Sequence, residues 1–266
     1  MKVLDMLTTA GGVGANEDRV GCRGPLAWVI DGATDLYEEA ALPADSDVLW
    51  LVDTLARHLD SAGTRGYRGS ATELLTEISE IVAREQSALG FPVDRVPPAC
   101  SVALLVDRGS RYDVTRIGDA TAVIVGRVPG LLATGYFDRR EAAAVGTGEV
   151  DQRRIRSAMQ ERRLHTMTSG DVESVFSGHQ KRKLRPHCLV GDWSDVDDIL
   201  LCTDGFARLV TDYGIYQSWS DVVSDGRAHG LSYLEKLIRG VEAGAEGHSG
   251  RFKRSDDVAA LLLTPA

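Results

Sequence analysis

Four aspartates stand where short apolar runs begin or end. Asp31 closes the run Leu26 to Ile30, and Asp119 follows Tyr112 to Ile117 after one glycine. Asp204 follows the run that ends at Cys202, and Asp256 immediately precedes Val258 to Leu263. Glu17 and Asp18 lie just ahead of the first of these runs. A carboxylate at the end of a buried strand, with a glycine letting the backbone turn away, projects into a cleft. Taken singly, each such aspartate reads first as a turn former or helix cap, because Asp-Gly is a common turn dipeptide. Taken together, they would repel one another at one edge of a β core, and some would stay protonated unless a cation compensated them. Hard oxygen donors without histidine or thiolate favour Mg²⁺ or Mn²⁺ over zinc or copper. A carboxylate-bridged pair of such ions suits phosphoryl chemistry, since it neutralises phosphate charge and lowers the pKa of a bridging water.

These side chains need a framework. Lys2 to Thr8 reads as a first strand, and the segment Leu26 to Ile30 has the length and β-branched content of a buried one. From Asp45 to Ala62, Val48, Leu51, Val52, Leu55 and Leu59 fall on one helical face. Ser70 and Glu73 have capping-box spacing ahead of a second stripe, Leu74, Leu75, Ile78, Ile81 and Val82. Cys100 to Val106 is apolar throughout, as in a strand buried on both faces. With Tyr112 to Ile117 and Ala122 to Val125 it suggests an antiparallel meander. Asp151 to Leu164 reads as a basic helix. Asp198 to Cys202 is a strand, a turn of helix runs through Phe206 to Val210, and Tyr216 to Val223 and Leu231 to Ala243 are helical. Periodicity alone gives a layered α+β protein. No repeat or boundary divides residues 1–266, so one domain is expected.

Composition limits the function. The chain has 266 residues, 43% hydrophobic and 26% charged, which fits a globular protein, and a formal charge of −9 argues against general nucleic-acid binding. No apolar run approaches the ~18 residues that span a bilayer, and the N-terminus lacks a secretory h-region. Cys22, Cys100, Cys188 and Cys202 lack metal spacing and read as reduced, structural thiols, which points to the cytoplasm.

Five segments carry a resemblance. Asn16-Glu17-Asp18, Val29-Ile30-Asp31-Gly32, Ile117-Gly118-Asp119, Leu200 to Gly205 and Ser255-Asp256-Asp257-Val258 resemble, in order and rough spacing, the motifs of metal-dependent protein phosphatases of type 2C, bacterial members in particular. The resemblance implies a four-layer α-β-β-α sandwich with two central antiparallel sheets flanked by helices. It also implies metal ligation by Asp31, the Gly32 carbonyl, Asp204 and Asp256, with Asp31 bridging two Mg²⁺ or Mn²⁺ ions. Glu17, with Asp18 beside it, would hold metal-bound water, and Asp119 would help bind a third ion. The implied reaction is attack of metal-activated water on phosphoserine or phosphothreonine in a protein substrate.

Departures from the pattern are specific. Val13 stands where many members carry a phosphate-gripping arginine, which leaves Arg19, Arg23 or Arg116 as substitutes and the phosphate-binding residue unassigned. Ala33 replaces a histidine of eukaryotic members, Arg208 an acidic ligand of the third ion, Asp257 an asparagine, and Ala259 a serine or threonine. Two other functions are therefore carried forward: a pseudophosphatase acting as a phosphoprotein-binding or regulatory module, and a phosphatase of a small phosphorylated metabolite. The basic residues of 151–164 and 181–185 suit either a flap over a phosphorylated partner or a solvated face. Gly247-His248-Ser249-Gly250 reads as a loop, His58 as an exposed side chain, and the four tryptophans as packing residues.

Overall fold

Strand β3 (Leu26–Gly32) shows how the layers arise. Its residues alternate between two cores: Leu26, Trp28 and Ile30 enter one, Ala27 and Val29 the other. A strand buried on both faces requires a layer on each side. In this computed structural model, which describes residues 1–12, 14–135, 152–168, 173–178, 184–244 and 255–266, those layers are helices on one side and a second sheet on the other.

The remaining elements, in chain order, are β1 (Lys2–Thr9), β2 (Arg19–Arg23), α1 (Asp47–Thr64), α2 (Ala71–Ala88), β4 (Cys100–Asp107), β5 (Arg111–Ile117), β6 (Thr121–Gly126), β7 (Gly130–Leu132), α3 (Gln152–Thr168), β8 (His187–Asp192), β9 (Val196–Cys202), α4 (Asp204–Thr211), α5 (Trp219–His229), α6 (Leu231–Ala243) and β10 (Val258–Thr264). One sheet has the order β1-β10-β9-β6-β7 and the other β2-β3-β4-β5-β8, with every pairing antiparallel. One core lies between α1, α2 and the second sheet, one between the sheets, and one between the first sheet and α4, α5 and α6. This is the expected α-β-β-α sandwich.

Helix α1 begins where Ser46 caps it, its hydroxyl accepting from Leu49 N–H at 3.0 Å. It buries Val48, Leu51, Val52, Leu55 and Leu59 completely. At the start of α2 the expected capping box is absent: Ser70 makes no side-chain cap bond. The Ala71 N–H is instead met by Asp113 at 3.2 Å, a tertiary contact that local spacing does not reveal.

Three further expectations are corrected. The meander is broken, because β4 and β5 form a hairpin in one sheet while β6 pairs with β9 in the other. The crossing occurs at Gly118, which has φ +79° and lies so close to Ser101 that any Cβ would strike its hydroxyl. The fifth helix starts at Trp219 and continues to His229, later and longer than 216–223. His58 is half-buried rather than exposed, its Nε2 lying 3.0 Å from Glu85. Strands β2, β7 and β8 are at or near sheet edges and carry too few apolar residues to signal themselves. Val13, residues 136–151, 181–183 and Gly247 to Gly250 lie outside the described residues.

Among the described residues no helix is long and apolar enough to cross a membrane. The four cysteines are free thiols. Leu104 is fully buried between the second sheet and its helices. Leu104→Ala is expected to lower stability by about 2–5 kcal/mol in urea unfolding, and a loss below about 1 kcal/mol would contradict this packing.

Candidate active site

Strand register brings the acidic positions to one end of the sandwich. Asp31 pairs with Ser101, and Gly32 with Cys100, at the start of β4. Val102 pairs with Ile117 at the end of β5, so the turn carrying Asp119 returns to the same end. Cys202 pairs with both Thr121 and Ala260, which places Asp204 and Asp256 at the corresponding rim of the other sheet. Thr9 opposes Val258, and the chain that follows leads directly to Glu17 and Asp18.

Close approach of backbone fixes this rim. At Gly32 a Cβ would lie 2.7 Å from the Glu17 Cβ and 2.8 Å from Val48 Cγ1, so only glycine lets the Glu17 segment close over β3. Gly205 abuts the Asp257 carbonyl with equally little room. The Asp31 carboxylate accepts the Asp204 N–H at 3.3 Å, joining the two sheets. The Thr203 hydroxyl donates to Asp18 Oδ2 at 2.8 Å and accepts from Ala259 N–H at 2.9 Å. Ser101 donates to Asp119 Oδ1 and accepts from its N–H.

The acids act on one another, most clearly at Asp31 and Asp18. Burial, first, and then repulsion from Asp204, Asp18, Asp119 and Asp256 push the Asp31 carboxyl well above the usual carboxylate range. Asp18 is raised in the same way by burial, against the pull of the Thr203 hydroxyl, and further by Asp204, Asp257 and Asp256. Such a set of hard oxygens fits a divalent cation in chemical type. As arranged, however, no three His, Cys, Asp or Glu side chains among the described residues converge tightly enough to hold an ion.

Side-chain partners account for part of this spread. Arg208, 2% exposed on α4, reaches Asp256 Oδ2 at 2.5 Å and Glu242 Oε1 at 3.5 Å. Glu242 is itself buried and also accepts from Arg239 at 2.8 Å and Ser255 at 2.8 Å. Arg208 thus holds Asp256 and Glu242 together through one guanidinium. Asp119 is likewise turned to Ser101.

The arginines expected to replace the one missing at Val13 are engaged elsewhere. Arg19 pairs with Asp53 at 2.6 Å, Arg23 with Asp60 at 2.8 Å, and buried Arg116 with Glu173 at 3.1 Å. Sequence reasoning underrated Asp257, whose carboxylate accepts from Gly11 N–H at 2.8 Å and Glu17 N–H at 2.7 Å. It anchors the segment that carries Glu17. Thr203 and Ser101 were also missed, and nothing in their local sequence distinguishes them from ordinary strand-end residues.

The fold is thus a four-layer α-β-β-α sandwich that presents carboxylates at one rim. The chain belongs to the protein phosphatase 2C family, whose model matches residues 15–239. That family is metal-dependent and acts on phosphoproteins, which makes the chain a phosphoric monoester hydrolase. Solved structures of similar fold include the serine/threonine phosphatase Stp1 from Staphylococcus aureus, with 14% identity and a TM-score of 0.59 over 98% of this chain and 94% of that one. The Mycobacterium tuberculosis serine/threonine phosphatase PstP/Ppp gives 16% identity and a TM-score of 0.52 over 97% and 95%. PppA, described as a key regulatory component of the T6SS in Pseudomonas aeruginosa, gives 20% and 0.54 over 97% and 95%. No curated protein sequence matches the chain.

Two stability measurements probe the site's charges. A carboxyl that titrates higher folded than unfolded costs stability above its folded pKa and none below its unfolded pKa. In chelator, Asp31→Asn is therefore expected to raise stability at pH 7 by about 1 kcal/mol or more, with the gain vanishing near pH 4. A loss at pH 7 would show that Asp31 is already compensated. Arg208→Ala leaves buried Glu242 short of a cation and should cost about 3 kcal/mol in urea unfolding. An unchanged midpoint would dismiss that network.

Proposed function

We propose that the chain is a serine/threonine protein phosphatase in which Asp31 would be the central metal-holding carboxylate. The observation that carries this reading is the approach of Asp18, Asp119, Asp204 and Asp256 to Asp31 at one rim, inside a chain of the phosphatase 2C family. Asp31, the Gly32 carbonyl, Asp204 and Asp256 would hold two Mg²⁺ or Mn²⁺ ions, and Asp119 would serve a third. Such ions, when bound, supply neutralisation of phosphate charge and activation of water for attack at phosphorus. The protein's part is positional. Asp257 holds the backbone at Glu17, and Thr203 holds Asp18. Glu17, Thr34, Asp35, Ser46, Asp256 and Asp257 border a cleft of about 480 Å³ that can receive a phosphorylated side chain.

Arg208 sets a condition on this reading. An ion at Asp256 has to compete with a guanidinium for the same oxygen, so occupancy there is expected to need more metal than occupancy at Asp31. The whole chain, 1–266, would act as one domain, and its free thiols suit a cytoplasmic location. The family match favours the enzyme over a binding module without activity, and neither it nor the site geometry favours a small metabolite over a phosphoprotein.

Purified protein is expected to hydrolyse a phosphothreonine peptide with Mn²⁺ and to stop in chelator. Asp31→Asn should lower kcat/KM by about a hundredfold or more. Turnover that survives chelation, or an Asp31→Asn variant as active as the parent, would refute the mechanism.

A further inference from the structure

Helix α3 docks on the loop that follows Asp31-Gly32. Arg163 donates from Nη2 to the Thr34 carbonyl at 2.7 Å, and Gln160, one turn earlier on the same face, reaches the Leu36 carbonyl at 3.4 Å. The loop is a firm support. Ala33 N–H bonds the Ala99 carbonyl at 3.1 Å, Leu36 is buried, and the Asp35 carboxylate accepts the Asp47 N–H of α1 at 3.0 Å.

The charges around Arg163 locate its head group. The acidic groups that act on it are Asp35 and Glu17, followed by Tyr37 and Cys100, and Cys100 in turn feels both Arg163 and Asp31. Its bond to the Thr34 carbonyl, two residues past Gly32, puts the guanidinium beside the loop that leaves the Asp31 end of β3. Burial lowers its pKa to about 10, so it remains a cation at neutral pH.

Arg163 differs from the other arginines near the rim. Arg19, Arg23, Arg116 and Arg208 each pair with a carboxylate. Among the described residues, the hydrogen-bond partner of Arg163 is a neutral carbonyl, taken by one of its five donor positions. A guanidinium near Asp35 and Glu17, tethered at one nitrogen and with its other donors uncommitted among the described residues, is arranged to take a dianion in bidentate fashion.

We infer that Arg163, carried by α3, is the residue that grips the phosphoryl group, in place of the arginine absent at Val13. The inference rests on the phosphatase reading above and assigns the phosphate-binding residue which that reading leaves open. Substrate binding and the docking of α3 are then one event, since the same side chain ties the helix to Thr34 and receives the phosphate.

The test uses the full chain with Mn²⁺ and inorganic phosphate as the probe. Calorimetric phosphate affinity and inhibition of phosphopeptide hydrolysis by phosphate are measured for the parent, Arg163→Ala and Arg163→Lys. Arg163→Ala is expected to weaken phosphate binding and raise KM by about ten- to a hundredfold, with a smaller change in kcat. Arg163→Lys should recover part of the phosphate affinity, because a point charge replaces a fork. Equal phosphate affinity in parent and Arg163→Ala would overturn the inference, as would a fall in kcat and melting temperature with KM unchanged, which marks a structural tie to Thr34 only. If the parent binds phosphate through Arg163 yet hydrolyses nothing, the phosphatase reading fails and the assignment of Arg163 stands.

Discussion

The structure turns on mutual repulsion at the rim where both sheets end. Asp18 and Asp31 both feel Asp204 and Asp256, Asp31 also feels Asp119, and burial raises the cost of the charges on Asp18 and Asp31. A protein tolerates such an arrangement only if the surrounding fold is stable enough to impose it. Three cores, one on each side of the sheets and one between them, provide that stability. The glycines at 32, 118 and 205 then bring backbones close enough to crowd the acids together.

Within that crowd, the side chains divide into those held by neutral partners and those held by cations. Thr203 and Ser101 orient Asp18 and Asp119 through hydroxyls, which leave the negative charge in place. Arg208 treats Asp256 differently, cancelling its charge with a guanidinium backed by Glu242. The network behind it, with Arg239, Tyr213 and Ser255 also on Glu242, links α4, α6 and the approach to β10. Arg208 therefore serves packing and the site at once: it satisfies a buried acid and weakens one edge of the cation-binding rim.

The rim was largely legible because its residues are marked twice, by type and by position at strand ends. Asp31, Asp204 and Asp256 could be placed from apolar runs alone, since a two-faced buried strand has few other readings. The sheet to which each strand belongs was not legible. Tyr112 to Ile117 and Ala122 to Val125 look like neighbours in sequence, and only the left-handed turn at Gly118, forced by Ser101, sends them into different sheets. Edge strands β2, β7 and β8 escaped notice for the opposite reason: too little of each is buried to leave a hydrophobic signature. Asp257 looked like a mild replacement because its hydrogen bonds go to residues some 240 positions away.

The positive charges of the site follow a pattern that spacing cannot reveal either. Arginine is identified by its partner, and partners are tertiary. Arg19, Arg23 and Arg116 had the advantage of proximity in sequence, yet each is neutralised by an acid outside the cluster. Arg163 is 129 residues from the Thr34 it meets, on a helix whose basic character reads equally as solvated surface. What separates it from that surface is its neutral tether at Thr34, two residues past Gly32, with Asp35 and Glu17 the acids that act on it most. The cationic half of the site thus comes from helices outside the sheets, Arg208 on α4 and Arg163 on α3, while the acidic half comes from the strand ends and their turns.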